Sequence, residues 1–187
     1  MTDIPGYPGG GGGNHGSADH GGADAGTLPP GRQAASFPPR IGPDCAVMQI
    51  HGSCASRFGD GVLLVGPPGS GKSDLVLRLL ARGFDLVADD RVAIVNGLAR
   101  PVPPLEGLLE VRGVGIVRLP FVAPARLALV VELGAVAQRL PMPERYDRLD
   151  LPALHLDPSA ASAPERIALA LECAVGRVSQ VAGAFAQ

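Results

Sequence analysis

Short apolar runs separated by turn residues follow one another along the chain from residue 47 onward. The run VLLV at residues 62–65 has no polar position, which is typical of a strand covered on both faces of a sheet. The run RLALVVEL at 126–133 predicts a second buried strand. The segments VMQIHGSCASRF at 47–58 and FDLVADD at 84–90 predict further strands, the first of them one or two short ones.

A helix is predicted directly after the strand at 62–65. Leu75 and Leu79 are four residues apart and share one face, which Val76 and Leu80 widen. Gly83 is a natural C-terminal stop, because glycine readily adopts the left-handed conformation that ends many helices.

A second helix is predicted near the C-terminus. It opens with SAPE at residues 162–165, where Ser162 and Glu165 can form a reciprocal capping box. Its apolar stripe is expected to comprise Ile167, Leu171, Ala174 or Val175, and Val178.

Turn residues between the two helices predict more strands. Asn96-Gly97 lies between RVAIV and LARPV and predicts a hairpin, because both turn positions require positive φ. LLEVRGVGIVRLP at 108–120 is an apolar run interrupted by Gly113 and Gly115, and 140–158 is a Pro- and charge-rich loop with short strands. The order strand–helix–strand, followed by a hairpin and more strands, predicts an α/β fold with a mixed sheet.

Composition divides the chain in two. Residues 1–44 are rich in Gly, Ser, Asp and Pro and have few large apolar side chains, so we expect a disordered tail. Residues 45–187 are expected to form one domain.

Charge, hydropathy and cysteine content exclude several classes of function. The net charge of −2 and the absence of a basic run argue against nucleic-acid binding, and no apolar window is long enough to span a membrane. Cys45, Cys54 and Cys173 lack the spacing of metal ligands, which predicts reduced thiols in a cytoplasmic protein.

One motif carries recognisable chemistry. GPPGSGKS at 66–73 fits the phosphate-binding loop, with an apolar strand before it and an amphipathic helix after it. Its backbone N–H groups and the helix N-terminus favour a polyphosphate, Lys72 supplies a compact positive charge, and Ser73 offers a hydroxyl to Mg²⁺. Lys72 is the only lysine among sixteen basic residues, which makes an accidental match improbable. We expect the whole loop to bind nucleotide; its residues are Gly66, Pro67, Pro68, Gly69, Ser70, Gly71, Lys72 and Ser73.

Acidic residues near the loop are candidates for catalysis. Asp89 and Asp90 end the strand that follows the first helix, at the end of an α/β sheet where ligands bind. Adjacent strand residues point to opposite faces, so one carboxylate is expected to hold Mg²⁺ and the other to take a proton from an incoming hydroxyl. Glu110 can complete a metal site and Arg112 can contact phosphate, although an exposed strand face would show the same pattern.

Three segments together resemble the catalytic domain of HPr kinase/phosphorylase. They are HGS at 51–53, the stretch from 59 to 92 that includes the phosphate loop and LVADD, and LLEVRGVGIVRLP at 108–120. The resemblance runs from about residue 48 to 134 and continues more weakly to about 180. It implies a fold of the HPr kinase/PEP carboxykinase type, in a short form without the N-terminal domain of longer members.

The resemblance also implies an activity. The expected enzyme uses ATP and Mg²⁺ to phosphorylate a serine of HPr, the phosphocarrier of the sugar phosphotransferase system, or of a relative. It implies that Asp89 is the acid/base group, Asp90 its partner, His51 an active-site histidine, and Glu110 a carboxylate near the metal. A charged His51 would keep Asp89 ionised. A homo-oligomer is expected, and the same site would run in reverse as a phosphorylase.

One family feature is not found, and two alternatives follow. The longer members carry a P-G-R-N-like docking stretch, for which PERYDRLDLP at 143–152 is the nearest equivalent. A small-molecule kinase would use an arginine-rich lid, for which Arg139, Arg145 and Arg148 are candidates. A regulatory module would bind nucleotide and signal to a partner without turnover.

Overall fold

The computed structural model describes residues 47–134 and 138–186. The tail predicted for residues 1–44, together with Cys45, lies outside the described residues, so the predicted domain boundary stays a prediction.

Eleven strands and two helices form within these two ranges. In chain order the strands are β1 Met48–His51, β2 Ser53–Arg57, β3 Asp60–Val65, β4 Asp85–Ala88, β5 Arg91–Val95, β6 Leu98–Pro101, β7 Leu108–Val111, β8 Gly115–Arg118, β9 Ala125–Leu133, β10 Glu144–Tyr146 and β11 Leu151–Leu156. The helices are α1 Lys72–Leu80, between β3 and β4, and α2 Ala163–Ala174, after β11.

A large mixed sheet organises the fold, which confirms the predicted α/β class. Its strands follow the order β1-β5-β6-β9-β3-β2-β4. Outside this order, β11 pairs with another part of β9, and β10 pairs with the other edge of β11. β9 is parallel to β3 and to β11, whereas the remaining pairs are antiparallel. β7 and β8 form a separate two-stranded sheet.

Strand direction gathers several chain segments at one edge of the sheet. β2 is antiparallel to both β3 and β4, so β3 and β4 run the same way. The carboxyl ends of β3, β4, β9 and β11 therefore point to the same edge, and the start of β2 at Ser53 lies there too. The phosphate loop, the two aspartates and residue 157 all leave the sheet at this edge.

Alternating side chains of the strands build a core on each face of the sheet. One face packs against the helices, and the core between them includes Leu64 and Val131 from the sheet and Leu75 and Ile167 from the helices. The opposite face buries a smaller cluster that includes Leu63 and Val130. The predicted all-apolar strands are thus covered on both faces.

The predicted hairpin turn at Asn96-Gly97 is confirmed. Val95 pairs with Leu98, and the intervening Asn96 and Gly97 have φ of 52° and 74°, as a tight hairpin turn requires. Gly113, with φ of 81°, lies in the turn that joins β7 to β8.

The prediction for α1 is confirmed, because Leu75, Val76 and Leu79 are buried and Gly83 has φ of 81° after the helix end. The prediction for α2 is partly wrong. Ile167 and Leu171 are buried as predicted, but the helix ends at Ala174, so Val178 lies beyond it and is 40% exposed.

The predicted capping box at the start of α2 is also wrong. Ser162 is the N-cap residue but makes no side-chain capping hydrogen bond within the described residues. Its φ of −87° and ψ of 10° lie outside the extended conformation from which a capping hydroxyl reaches the helix amides. Glu165 instead forms an ion pair of 2.8 Å with Arg82, just after α1.

In the described ranges, neither helix is long and apolar enough to span a lipid bilayer.

Substitution of Ser162 tests this description of α2. We expect Ser162→Ala to change the free energy of unfolding by less than about 0.5 kcal/mol, because the hydroxyl caps no amide; a working cap contributes about 1 kcal/mol. Leu171→Ala, which empties a fully buried position, should cost about 2–5 kcal/mol. Urea unfolding followed by circular dichroism measures both, and a large loss in Ser162→Ala would restore the capping box.

Candidate active site

The loop between β3 and α1 requires glycine at two positions. Gly66 and Gly71 have φ of 155° and 86°. A Cβ on Gly66 would lie 2.8 Å from Ser70 Oγ and 3.0 Å from the carbonyl oxygen of Leu133, so no larger residue fits without movement. Gly71 is the N-cap of α1 and brings no side-chain cap within the described residues, which leaves the first N–H groups of the helix available to a ligand.

Lys72 folds back over this loop. Its Nζ donates hydrogen bonds of 3.0 Å to the carbonyl oxygens of Gly66 and Pro67. Burial lowers the pKa of Lys72, and the nearby carboxylates of Asp89 and Asp90 oppose that shift. An ammonium group held by neutral carbonyls beside a helix N-terminus is well placed to turn to a phosphate.

Ser70 supports the same interpretation of the loop. Its Oγ is buried and has no hydrogen-bond partner among the described residues. Because buried polar atoms are normally paired, this hydroxyl is consistent with a ligand that supplies the partner.

Asp89 joins the loop to the sheet. Its carboxylate accepts hydrogen bonds from Ser73 Oγ, 3.0 Å from each oxygen, and from Ser53 Oγ at 2.6 Å. The backbone N–H of Glu110 donates a longer one of 3.4 Å. Asp89 is only 6% exposed, and donors from three other parts of the chain hold its carboxylate.

Asp90 has a different environment. It is exposed and lies beyond the end of β4 at Ala88, where it adopts a left-handed conformation with φ of 66°. His51 Nδ1 lies 2.9 Å from the Asp90 carbonyl oxygen and 3.3 Å from its carboxylate. One sequence prediction is corrected here: the aspartates follow β4 and do not occupy opposite faces of a strand. His51 contacts Asp90, whereas the family resemblance implied an effect of His51 on Asp89.

The aspartates, His51 and most of the loop line one cavity of about 800 Å³. Glu110 and Arg112 line it as well, so the structure brings these predicted residues together. Gly66 and Pro67 are not part of the lining; their carbonyl oxygens accept the hydrogen bonds of Lys72.

Other lining residues come from segments that sequence reasoning missed. Ser53 belongs to the HGS segment that contributes to the family resemblance, so the sequence could have indicated it as a site residue. Pro158 and Ser159 carry no such signal, because they reach the cavity only through the parallel pairing of β11 with β9.

The arginines considered as a lid are not at this cavity. Within the described residues its lining includes none of Arg139, Arg145 and Arg148. Arg145 pairs with Asp150, and Arg148 lines a second cavity of about 430 Å³ beside Asn96. The structure gives no support to an arginine-rich lid over the phosphate loop.

The residues present fit Mg²⁺ in the presence of a polyphosphate. No cluster of three or more His, Cys, Asp or Glu residues suited to a metal occurs in the described part of the chain. Mg²⁺ needs no such cluster, because it is usually held by one or two carboxylates together with phosphate oxygens and water. The Ser73 hydroxyl and the Asp89 carboxylate, with Glu110 in the same cavity, supply oxygen donors of this kind.

A family model described as the HPr Serine kinase C-terminal domain matches residues 45–158. The chain belongs to this family. The match contains the phosphate loop, both aspartates and Glu110, and it confirms the resemblance derived from the sequence.

Individual relatives carry related names. HPr kinase/phosphorylase 1 of Oceanobacillus iheyensis is 40% identical over 114 residues, which cover 54% of this chain and 36% of the relative. HPr kinase/phosphorylase of Cupriavidus metallidurans is 36% identical over 143 residues, which cover 67% of this chain and 44% of the relative. The chain thus spans about two fifths of the length of these curated relatives.

A solved structure supports the fold. The Hpr(Ser) kinase/phosphatase from Coxiella burnetii superposes with a TM-score of 0.56 at 23% identity. The match covers 70% of this chain and 97% of that one.

Two glycines with the same φ test the loop. Gly71 and Gly59 both have φ of 86°, but Gly59 lies in the β2–β3 turn at the opposite edge of the sheet. We expect each Ala substitution to cost about 1–2 kcal/mol of folding stability. Only Gly71→Ala should also weaken binding of Mg·ATP in calorimetry, because it alone distorts the loop. Equal affinities for the two variants would contradict the assignment.

Proposed function

We propose that this domain is an ATP- and Mg²⁺-dependent serine kinase that phosphorylates HPr or an HPr-like phosphocarrier of the sugar phosphotransferase system. The observation that carries the proposal is the pairing of Ser73 with the buried Asp89, next to the exposed Asp90 and His51. A polyphosphate site and an accessible acid/base group thereby share one cavity. The family membership and the names of the relatives support the choice of acceptor.

The phosphate loop is the part that binds ATP. The loop N–H groups and the helix N-terminus neutralise the β- and γ-phosphates, and Lys72 exchanges its bonds to the Gly66 and Pro67 carbonyls for phosphate oxygens. Mg²⁺, when bound, spreads the negative charge that develops on the transferred group. Ser73, Asp89 and Glu110 are the residues that would hold it, and Arg112 is placed to meet phosphate.

The two aspartates divide the remaining tasks. Asp89 already accepts three hydrogen bonds and is buried, so we assign it to holding Ser73 at the metal position. Asp90 has a side chain that is 61% exposed, and a hydroxyl on another protein can reach it. We therefore assign the acid/base role to Asp90, which exchanges the roles that the family resemblance implied for the pair.

Transfer of the γ-phosphoryl group to serine forms one bond to phosphorus and breaks another. The serine oxygen attacks the γ-phosphorus, the bond from that phosphorus to the β-γ bridging oxygen breaks, and ADP leaves. The serine proton passes to the Asp90 carboxylate. His51 Nδ1 lies 3.3 Å from that carboxylate and orients it.

The same groups run the reaction backwards as a phosphorylase. An oxygen of inorganic phosphate attacks the phosphoserine phosphorus, the bond to the serine oxygen breaks, and pyrophosphate leaves. Protonated Asp90 returns its proton to the serine oxygen, as microscopic reversibility requires. The names of the relatives, which include phosphorylase, favour this second activity.

The rim of the cavity favours a protein acceptor over a small molecule. Ile116 lines the cavity and is 72% exposed, and Val114 in the adjacent turn is 75% exposed. Exposed apolar side chains beside a reactive site are typical of protein-binding surfaces. Among the described residues, no arginine-rich lid closes the cavity, as a small-molecule kinase would require.

Substitution of each aspartate tests the assigned roles. We expect Asp90→Asn to lower kcat for phosphate transfer by about 10²–10⁴-fold, because it removes the acid/base group. Its affinity for Mg·ATP should stay within about threefold of the wild type. Asp89→Asn should instead weaken the Mg²⁺-dependent binding of ATP. Transfer from γ-labelled ATP to a purified HPr-like protein, with calorimetry on each variant, measures both effects.

Two outcomes contradict parts of this proposal. If Asp89→Asn loses kcat with normal binding while Asp90→Asn stays active, the acid/base group is Asp89. If ATP binds normally and no HPr-like protein is labelled, the proposed acceptor is wrong, and screening small hydroxyl compounds for ADP release distinguishes the remaining kinase class.

A further inference from the structure

A short segment after β11 covers one side of the cavity. We name residues 157–161 the strap. Because β11 runs parallel to β9, the strap leaves the sheet at the same edge as the phosphate loop. Its first turn is closed by Asp157, whose carboxylate accepts hydrogen bonds from the Ser159 N–H at 2.9 Å and the Ser159 hydroxyl at 2.7 Å.

Arg78 on α1 ties the strap to the helix that follows the phosphate loop. Its guanidinium donates to the carbonyl oxygens of Pro158 at 2.6 Å, Ala160 at 2.7 Å and Ala161 at 3.2 Å. These contacts connect residues about eighty positions apart in sequence. The guanidinium suits this arrangement because it is planar and presents several N–H donors in fixed directions.

The strap forms part of the cavity wall. Pro158 and Ser159 line the cavity, and the Pro158 ring lies 3.6 Å from where a Cβ on Gly71 would be. Leu77, on the turn of α1 that follows Asp74, adds an apolar side chain to the same lining. This wall therefore combines a proline ring and a leucine, the kind of surface that accepts a flat nucleobase.

The position of the catalytic groups indicates which part of a nucleotide the strap meets. Ser73 turns toward Asp89 at the β2 and β4 side of the loop, which is where the proposed function puts the γ-phosphate of ATP. Asp90 lies next in the chain and also belongs to that end. The nucleoside must leave the loop in another direction, and the strap bounds the cavity beside the N-terminus of α1.

We infer that Arg78 is a positioning residue that holds the strap as the wall of the nucleoside half of the site. The inference rests on the proposed function, because it takes the loop to bind the phosphates of ATP. It assigns to the Arg78 hydrogen bonds a role in selecting a nucleoside triphosphate over a bare polyphosphate.

The experiment compares two ligands that share phosphates and differ in the nucleoside. Mg·ATP and Mg·tripolyphosphate are titrated by calorimetry into the wild type, Arg78→Met and Arg78→Lys. Arg82→Met is the matched control, since Arg82 lies one turn further on, is 58% exposed and pairs with Glu165 instead of the strap. Pro158→Ala removes the proline ring while keeping Arg78 and its acceptors.

The expected result is a selective loss. Arg78→Met should weaken ATP binding by about tenfold or more while tripolyphosphate binding stays within about twofold, because three hydrogen bonds to the strap are lost and the loop is kept. Arg78→Lys should show an intermediate loss of ATP affinity, since lysine keeps the positive charge but lacks the planar guanidinium. Pro158→Ala should weaken ATP binding alone, by about threefold. Arg82→Met should bind both ligands as the wild type does.

Other results overturn the inference. Equal losses for both ligands in Arg78→Met would mean that the strap supports the phosphate loop itself. Unchanged ATP binding in Arg78→Met would mean that the strap does not contact the nucleoside. If Arg78→Met fails to fold, unchanged ATP binding in Pro158→Ala overturns the inference by itself. A wild type that binds neither ligand would refute the proposed function, and this inference with it.

Discussion

A single buried carboxylate holds the candidate site together. Asp89 accepts hydrogen bonds from Ser73 on α1, from Ser53 on β2 and from the backbone of Glu110 on β7, while it follows β4 itself. Removing a charged group from water is costly unless donors replace the lost hydration, and here three donors do so. The cost of burying Asp89 is therefore linked to the correct placement of the phosphate loop against the sheet.

The sheet explains why these groups meet. β3 and β4 point the same way although β2 separates them, so the loop after β3 and the aspartates after β4 emerge at one edge. The parallel β9 and β11 bring the strap to the same edge. Buried apolar clusters on both faces make the strand register rigid, since a slip by one residue would exchange the two faces. The site is thus built from loops at one edge of a sheet that is packed on both faces.

Local features of the site could be predicted from the sequence, and long-range ones could not. The strand, loop and helix around Lys72 are contiguous, and glycine spacing with apolar periodicity was sufficient to place them. The partner of His51 depends on the left-handed turn at Asp90, which no local pattern in the sequence announces. The predicted capping box at Ser162 does not form, and Glu165 instead pairs with Arg82, which lies just after α1 and far away in sequence. Arg78 showed no functional signal at all, because its acceptors are backbone carbonyls about eighty residues away.

A crystal structure with Mg²⁺ and a non-hydrolysable ATP analogue would show whether the loop that Asp89 holds against the sheet binds the phosphates. We expect Lys72 Nζ to leave the carbonyl oxygens of Gly66 and Pro67, from which it is now 3.0 Å, and to contact the β- and γ-phosphates. We also expect Ser73 to be among the residues that hold the metal, with Asp90 and His51 facing the γ-phosphate. A nucleotide bound elsewhere, with Lys72 still on its own loop, would contradict these expectations.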